Sequence, residues 1–229
     1  MVLDQEALSS QIYRIIKDRI TSDLLKPGDR LSVEELAIEF GVSRSPVKTA
    51  IDLLRDEGLV AIARNRGTFV NTLSEQDVLD ILGVREMMEQ YAAEIIPLPV
   101  TDRIALELRE ILAEERQLLD TLSDDASFLR RNELNALFHE LLVEAAGNRH
   151  LTALYRKLNV RRVILRSYRV RPLRKPHDVH QEHLRILEAA EGTDHAALKD
   201  AVTTHTSQAR EAFLHSVHPS QDPRHDSLG

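Results

Sequence analysis

Apolar residues recur at helical spacing through the first fifty-odd positions of the chain, switch to an extended spacing, and then return to helical spacing. Ile12, Ile15, Ile16 and Ile20 predict a first helix from Ser9 to about Ser22, after a frayed start over residues 1 to 8. The turn Lys26-Pro27-Gly28 closes it. Ser32, with Glu35 three residues later, forms a capping box opening a short helix with Leu36, Ala37 and Phe40 inward, and Gly41 ends that helix. Ser43 is placed to cap the next helix. Pro46 falls in its first turn, where backbone N–H groups lack helical partners, and Val47, Ala50, Ile51 and Leu54 face inward. Beyond Gly58 the pattern becomes extended: Leu59, Val60 and Ile62, then Asn65-Arg66-Gly67, then Thr68, Phe69 and Val70. That run predicts a β-hairpin with Gly67 in its tight turn.

From Asp77 onward the pattern is helical throughout, with segments at about 76–96, 102–122, 126–146, 149–171, 177–191 and 194–215. Pro97 and Pro99, Gly147-Asn148, Pro172 and Pro176, and Gly192 separate several of them. Short connections between six helices predict an antiparallel bundle. The fold class is therefore mostly α: an N-terminal winged helix-turn-helix with a small hairpin wing, followed by an all-α bundle. The expected domains are residues 1–75 with a short linker, residues 76–215, and a disordered Pro-, Ser-, His- and Asp-rich tail at 216–229.

Composition narrows the chemistry. The chain has 229 residues, 42% of them hydrophobic, which suffices for an ordinary core and for two domains. With no cysteine, disulfides, thiolate metal sites and cysteine nucleophiles are excluded. The absence of a long apolar run or a signal-peptide core predicts a soluble cytoplasmic protein with no membrane partner. The net charge of −7 excludes a globally basic nucleic-acid coat, so any DNA binding rests on a local patch.

Such a patch is present. Two short helices across a glycine turn make a helix-turn-helix, and the start of the second, Ser43, Arg44, Ser45 and Lys48, faces outward where it can meet DNA. Arg64 and Arg66 flank a wing tip thin enough for a minor groove. Helix-turn-helix geometry also occurs in proteins that never touch DNA, but here a basic helix and a basic wing occur at the expected spacing. The segments PGDRLS, EELA, FGVSRSPV, LLRDEGLV and RGTFV resemble the winged-helix domain of the GntR family of bacterial transcription regulators. The resemblance implies that Arg30, Arg44, Lys48 and Gly67 occupy operator-touching positions. Lys48 stands where arginine is more usual; as a point charge, it favours phosphate contact over bidentate guanine reading.

Three of the ten histidines fall on inward helical stripes: His139 beside Phe138 and Leu142, His183 between Val179 and Leu187, and His205 between Val202 and Ala209. Taken singly, each is a hydrogen-bonded core residue; together they form a first shell for Zn²⁺, Ni²⁺ or a similar divalent ion. Asn135, one turn before His139, adds an oxygen on the same face, while His177 and His180 read as helix-entry or surface residues. The second half resembles the FCD effector domain of the FadR branch, through VREMMEQYAA, NALFHELLVEAAGN and EHLRILEAAEG. The resemblance places His139, His183 and His205 on metal-binding positions, with Asn135 where aspartate is most familiar. A neutral amide leaves the ion's charge uncompensated, which favours an anionic ligand beside it. Arg85 either pairs with Glu89, four residues on, or, as the resemblance implies, clamps an effector carboxylate. Arg161, Arg162, Arg166 and Arg169 form a basic stretch read as a solvated face.

These features predict a homodimeric repressor that reads a palindromic DNA operator and responds to a small organic acid bound beside a metal ion. One rival is a regulator for which the metal alone is the signal. The other is a metal-dependent enzyme, against which stands the lack of a carboxylate at a spacing suited to a general base.

Overall fold

The computed structural model describes residues 4–22, 24–63, 66–119, 125–166 and 174–217, with side chains left aside at 4–7, 125 and 159–166. Arg64 and Asn65 of the wing tip, residues 167–171 of the expected fourth bundle helix, the tail from 218, and the side chains of Arg161, Arg162, Arg166 and Arg169 lie outside the described residues. The chain forms two compact units, Met1–Val78 with Lys157–Arg169, and Leu79–Arg156 with Val170–Gly229.

In the first unit, helix α1 (Asp4–Thr21) packs on α3 (Arg44–Asp56). Ile12, Ile16 and Ile20 are buried there against the face that carries Val47, Ile51 and Leu54. Two sequence expectations are corrected here. Helix α1 begins at Asp4 rather than Ser9, because Asp4, Gln5, Glu6 and Ala7 suit a helix start without carrying an apolar period. Ile15 is exposed, because its neighbour Ile16 takes the inward position. At the far end of α3, Glu57 accepts from Tyr13 Oη at 2.6 Å and from Lys17 Nζ at 3.0 Å, fastening α1 to it.

Helix α2 (Val33–Phe40) starts at Ser32, whose Oγ accepts from the Glu35 N–H at 3.3 Å. It stops at Gly41, whose φ of 65° is left-handed, and the Val42 N–H closes the turn on the Ala37 carbonyl at 3.0 Å. Leu36 and Ala37 are buried, and Phe40 is half-buried under the Arg19 guanidinium. The wing is a three-stranded antiparallel sheet in the order β1 (Arg30–Leu31), β3 (Gly67–Val70), β2 (Val60–Ala63). The hairpin β2–β3 matches the sequence pattern; β1 is too short to show a period and is fixed only by pairing Arg30 with Phe69 and Leu31 with Thr68.

The second unit is helical, with α4 (Glu75–Ile95) from Leu79 on, α5 (Asp102–Leu119), α6 (Asp125–Ala145), α7 (Arg149–Arg166) as far as Arg156, α8 (Pro176–Glu191) and α9 (His195–Val217). Helix α4 begins after Ser74, where Ser74 Oγ accepts from the Asp77 N–H at 3.1 Å and Asp77 accepts from the Ser74 N–H at 2.8 Å. Helix α5 packs on α6 and α8, and α8 on α9. Their core includes Ala92, Ile96, Leu108, Leu112, Phe138, Leu142, Tyr155, Ile186 and Val202. Helix α4 buries Val78, Ile81, Ala92 and Ala93 but departs from the usual amphipathic rule at other positions. Arg85 and Glu89 are buried, whereas Val84, Met87, Tyr91 and Ile95, spaced three and four apart, are exposed.

Candidate metal centre and nucleic-acid interface

The start of α3 is exposed and carries two cationic side chains. Pro46 and Val47 are buried, while Ser43, Arg44, Ser45 and Lys48 are exposed. Ser43 occupies the N-cap position, yet its hydroxyl makes no capping hydrogen bond. Arg44 Nη1 lies 3.2 Å from Glu34 Oε1, but both partners are largely exposed, so the pair is weak and a phosphate or base edge can displace it. In the sheet, Arg30 and Gly67 meet. A Cβ at Gly67 would sit 3.4 Å from Arg30 Nε, and its φ of 109° already disfavours a side chain, so glycine lets the guanidinium lie along the wing. Arg66 is exposed at the turn, where its N–H donates to the Ala63 carbonyl at 3.0 Å.

In the second unit the three histidines converge. His139 on α6, His183 on α8 and His205 on α9 are all buried, and one potential ligand atom from each lies within 4.8 Å of the others. Phe138 stacks on the His183 ring, and the His139 and His205 rings stack with centroids 4.7 Å apart. Two of the rings are oriented from behind. Glu115 Oε2 lies 3.3 Å from His183 Nδ1, and Glu182 Oε2 lies 2.9 Å from His205 Nδ1. Arg174 in turn holds Glu182, with Nη1 at 2.8 Å from Oε2. When Nδ1 donates to these carboxylates, Nε2 is the lone-pair nitrogen turned to the cluster. His139 Nδ1 lies 3.1 Å from Glu89 Oε2 but without the alignment of a hydrogen bond, so both atoms count as buried and unpaired. His139 Nε2 and His183 Nε2 are also buried without a partner. Leaving such atoms unpaired costs about 1–3 kcal/mol each, and a shared cation repays them together. The donor set, three imidazoles from three helices, suits a borderline divalent ion.

Electrostatics keep the site ready for a cation. Burial, only partly opposed by Glu89, holds His139 well below the ordinary histidine range; burial brings His205 to about 4 against the pull of Glu182. Both are neutral near pH 7, as a ligand must be. For Glu89, burial raises the carboxyl, but Arg85 and then His139 outweigh it and hold it well below the usual range. Glu182 is brought to about 2, with the hydrogen bonds of His205 and Arg174 overcoming burial.

Arg85 donates through Nε to Glu89 Oε1 at 2.5 Å, and the Tyr155 hydroxyl donates to the same oxygen. The expected Arg85–Glu89 pair therefore exists, and it leaves Arg85 Nη2 buried with no partner. Asn135 lies one turn before His139 and is half-buried. His180 is a correction: it is buried, and its Nδ1 lies 2.8 Å from the Glu115 oxygen that also meets His183, whereas His177 is exposed as expected. The expectation that charge compensation fails without a carboxylate at position 135 is also revised, since Glu89, Glu115 and Glu182 stand behind the imidazoles.

From sequence, Glu89 is expected only as the partner of Arg85, and Glu115, Glu182, Tyr155 and Arg174 are not singled out as parts of the site. A signal existed for some of them. Glu115 continues the buried stripe Leu108, Leu112 at helical spacing, Glu182 precedes Ile186 and Ala190 by four and eight, and His180 precedes His183 and Leu187 by three and seven. A charged residue on an inward stripe marks a partner across the core.

Two family models match the chain: that of the bacterial regulatory proteins of the gntR family over residues 8–70, and that of the FCD domain over residues 80–208. The chain belongs to the gntR family and carries an FCD domain. This GntR protein is 30% identical to the HTH-type transcriptional regulator YdhC of Bacillus subtilis (strain 168) over 212 residues, 93% of either chain. It is also 30% identical to the HTH-type transcriptional repressor RspR of Escherichia coli (strain K12) over 210 residues, which cover 90% of this chain and 89% of that one. The structure of E. coli McbR/YncC shares its fold, with a TM-score of 0.72 at 20% identity, covering 92% of this chain and 98% of that chain. The GntR protein is accordingly a DNA-binding transcription regulator and not an enzyme, and among the described residues no helix is long and apolar enough to cross a membrane.

Proposed function

We propose that this GntR regulator is a homodimeric, cytoplasmic repressor of a palindromic operator, released or tightened by a small organic acid bound beside a divalent metal ion, Zn²⁺ or Ni²⁺. The observation that carries the reading is the buried triad His139, His183 and His205, with unpaired Nε2 atoms on His139 and His183. These imidazoles would hold the ion, with the Asn135 amide as a further oxygen donor. The ion would supply positive charge for a carboxylate, and the free Nη2 of buried Arg85 would supply a hydrogen bond to it. Residues 1–75 act as the reading domain and 76–215 as the effector and dimerisation domain. In the reading domain, Ser43, Arg44, Ser45, Lys48, Arg30, Arg66 and Gly67 form the DNA-contacting set. Acid binding shifts the bundle between arrangements that differ in operator affinity. Similarity to the transcriptional repressor RspR favours repression.

Thermal melting with and without chelator tests the ion. The wild type is expected to melt higher with metal than with chelator, and each of His139→Ala, His183→Ala and His205→Ala to lose that difference. Chelator-independent melting of all four proteins would remove the metal from the reading. Asn135→Asp should tighten metal binding when no acid is present, because it adds a negative donor, and unchanged affinity would show that position 135 does not contact the ion.

A further inference from the structure

Glu89 stands between the two halves of this buried site. Its Oε1 is the acceptor for Arg85 Nε and for the Tyr155 hydroxyl, and its Oε2 faces His139 Nδ1 at 3.1 Å. The side chain is fully buried, so no water screens one oxygen from the other. Glu89 is not among the residues whose ligand atoms come within 4.8 Å of one another, so its place is behind His139 rather than beside the ion. His183 and His205 have carboxylates of their own, Glu115 and Glu182, whereas Arg85 pairs with Glu89. His139 is thus the ligand whose supporting carboxylate is paired with Arg85, the cation that keeps a buried unpaired Nη2, whereas Glu182 behind His205 is paired with Arg174.

We propose that Glu89 is a positioning residue that couples the two sites, so that the charge on Arg85 sets how strongly His139 binds the metal. This inference rests on the metal reading above and specifies how the effector acts on it. While Arg85 is unneutralised it draws the Glu89 charge towards Oε1, and Oε2 is a weak acceptor for His139 Nδ1–H. An anion on Arg85 Nη2 shares the guanidinium charge, releases negative charge to Oε2, and makes the His139 imidazole a stronger donor to the ion. Metal and anion then raise each other's affinity by the same factor, with no direct contact between them required. The opposing model is direct repulsion between Arg85 and the ion, which needs no Glu89.

A double-mutant cycle on Zn²⁺ affinity separates the two, using the full chain, Zn²⁺ alone as the probe, and competition calorimetry as the readout. Glu89→Gln should weaken Zn²⁺ by about 10–100-fold, as loss of a carboxylate behind a ligating histidine does. Arg85→Gln, which imitates a neutralised arginine, should tighten Zn²⁺ in the wild-type background and change nothing in the Glu89→Gln background. A Co²⁺-loaded sample should show a shifted visible spectrum for Glu89→Gln, since the field at the ion changes. Each single charge change strands a buried partner and risks unfolding. Tyr155→Phe, which removes the hydroxyl that meets Glu89 Oε1 and Arg85 without changing a formal charge, therefore serves as a second arm. It should tighten Zn²⁺ in the wild type and have no effect when added to the uncharged pair Arg85→Gln with Glu89→Gln. Equal effects of Arg85→Gln or of Tyr155→Phe with and without Glu89 would overturn the coupling while leaving the metal site standing. A wild-type chain that fails to bind Zn²⁺ or Ni²⁺ would instead overturn the metal reading, and the coupling with it.

Discussion

At the scale of single residues, the reading head separates two kinds of cation. Arg44 offers a planar fork at the exposed start of α3, held only by a weak pair with Glu34, whereas Lys48 offers a point charge one turn on. Arg44→Ala is expected to abolish discrimination between operator and unrelated DNA, with melting unchanged because no core depends on the side chain. Lys48→Ala should weaken binding to both DNAs alike and lower the slope of log affinity against log salt by about one. Fluorescence anisotropy over a salt series measures both, and the same loss of discrimination in the two variants would count against this division. The buried residues follow the opposite logic. Arg85 and Glu89 answer each other's charge inside, and His183 and His205 lie against the carboxylates of Glu115 and Glu182.

At the scale of elements, the caps and turns hold the reading head where the core alone would not. Helix α2 ends because Gly41 adopts φ 65°, and nothing lies within 4 Å of where a Cβ would stand. Gly41→Ala should therefore cost stability through backbone strain alone, about 1–2 kcal/mol, with no steric clash to relieve. Urea melts would show a lower midpoint at unchanged slope; an unchanged midpoint would mean that the turn relaxes. Helix α4 carries site residues on its buried side beside Val78, Ile81, Ala92 and Ala93. With Arg85 and Glu89 turned to the histidines, four apolar residues are left outward.

For the whole molecule, the proposed homodimer on a palindromic operator needs a face for a second copy, and the exposed apolar stripe Val84, Met87, Tyr91 and Ile95 is the one predicted to supply it. Met87→Glu, at 61% exposure, should leave the fold intact and shift the sedimentation of the chain from dimer to monomer. Operator affinity should fall with it, since each protomer would hold only a half-site. A dimer that persists in the variant would move the interface elsewhere. The net charge of −7 reinforces the dependence on two reading heads, because away from its local basic patches the chain repels DNA.

Local periodicity and capping chemistry alone determine most of the architecture. The helix-turn-helix with its Ser32 and Gly41 ends, the hairpin, the inward stripes of the bundle and the three histidines on those stripes each follow from residues a few positions apart. The start of α1 and strand β1 were not legible, because neither carries a repeating apolar signal. What only the tertiary structure decided is which distant residues share a site. Glu115 meets His180 and His183 from 65 and 68 residues away, and Tyr155 reaches Glu89 across 66. Sequence spacing fixes which face of a helix a residue occupies, but the partner of a buried charge is chosen by packing between helices, and no local period records that choice.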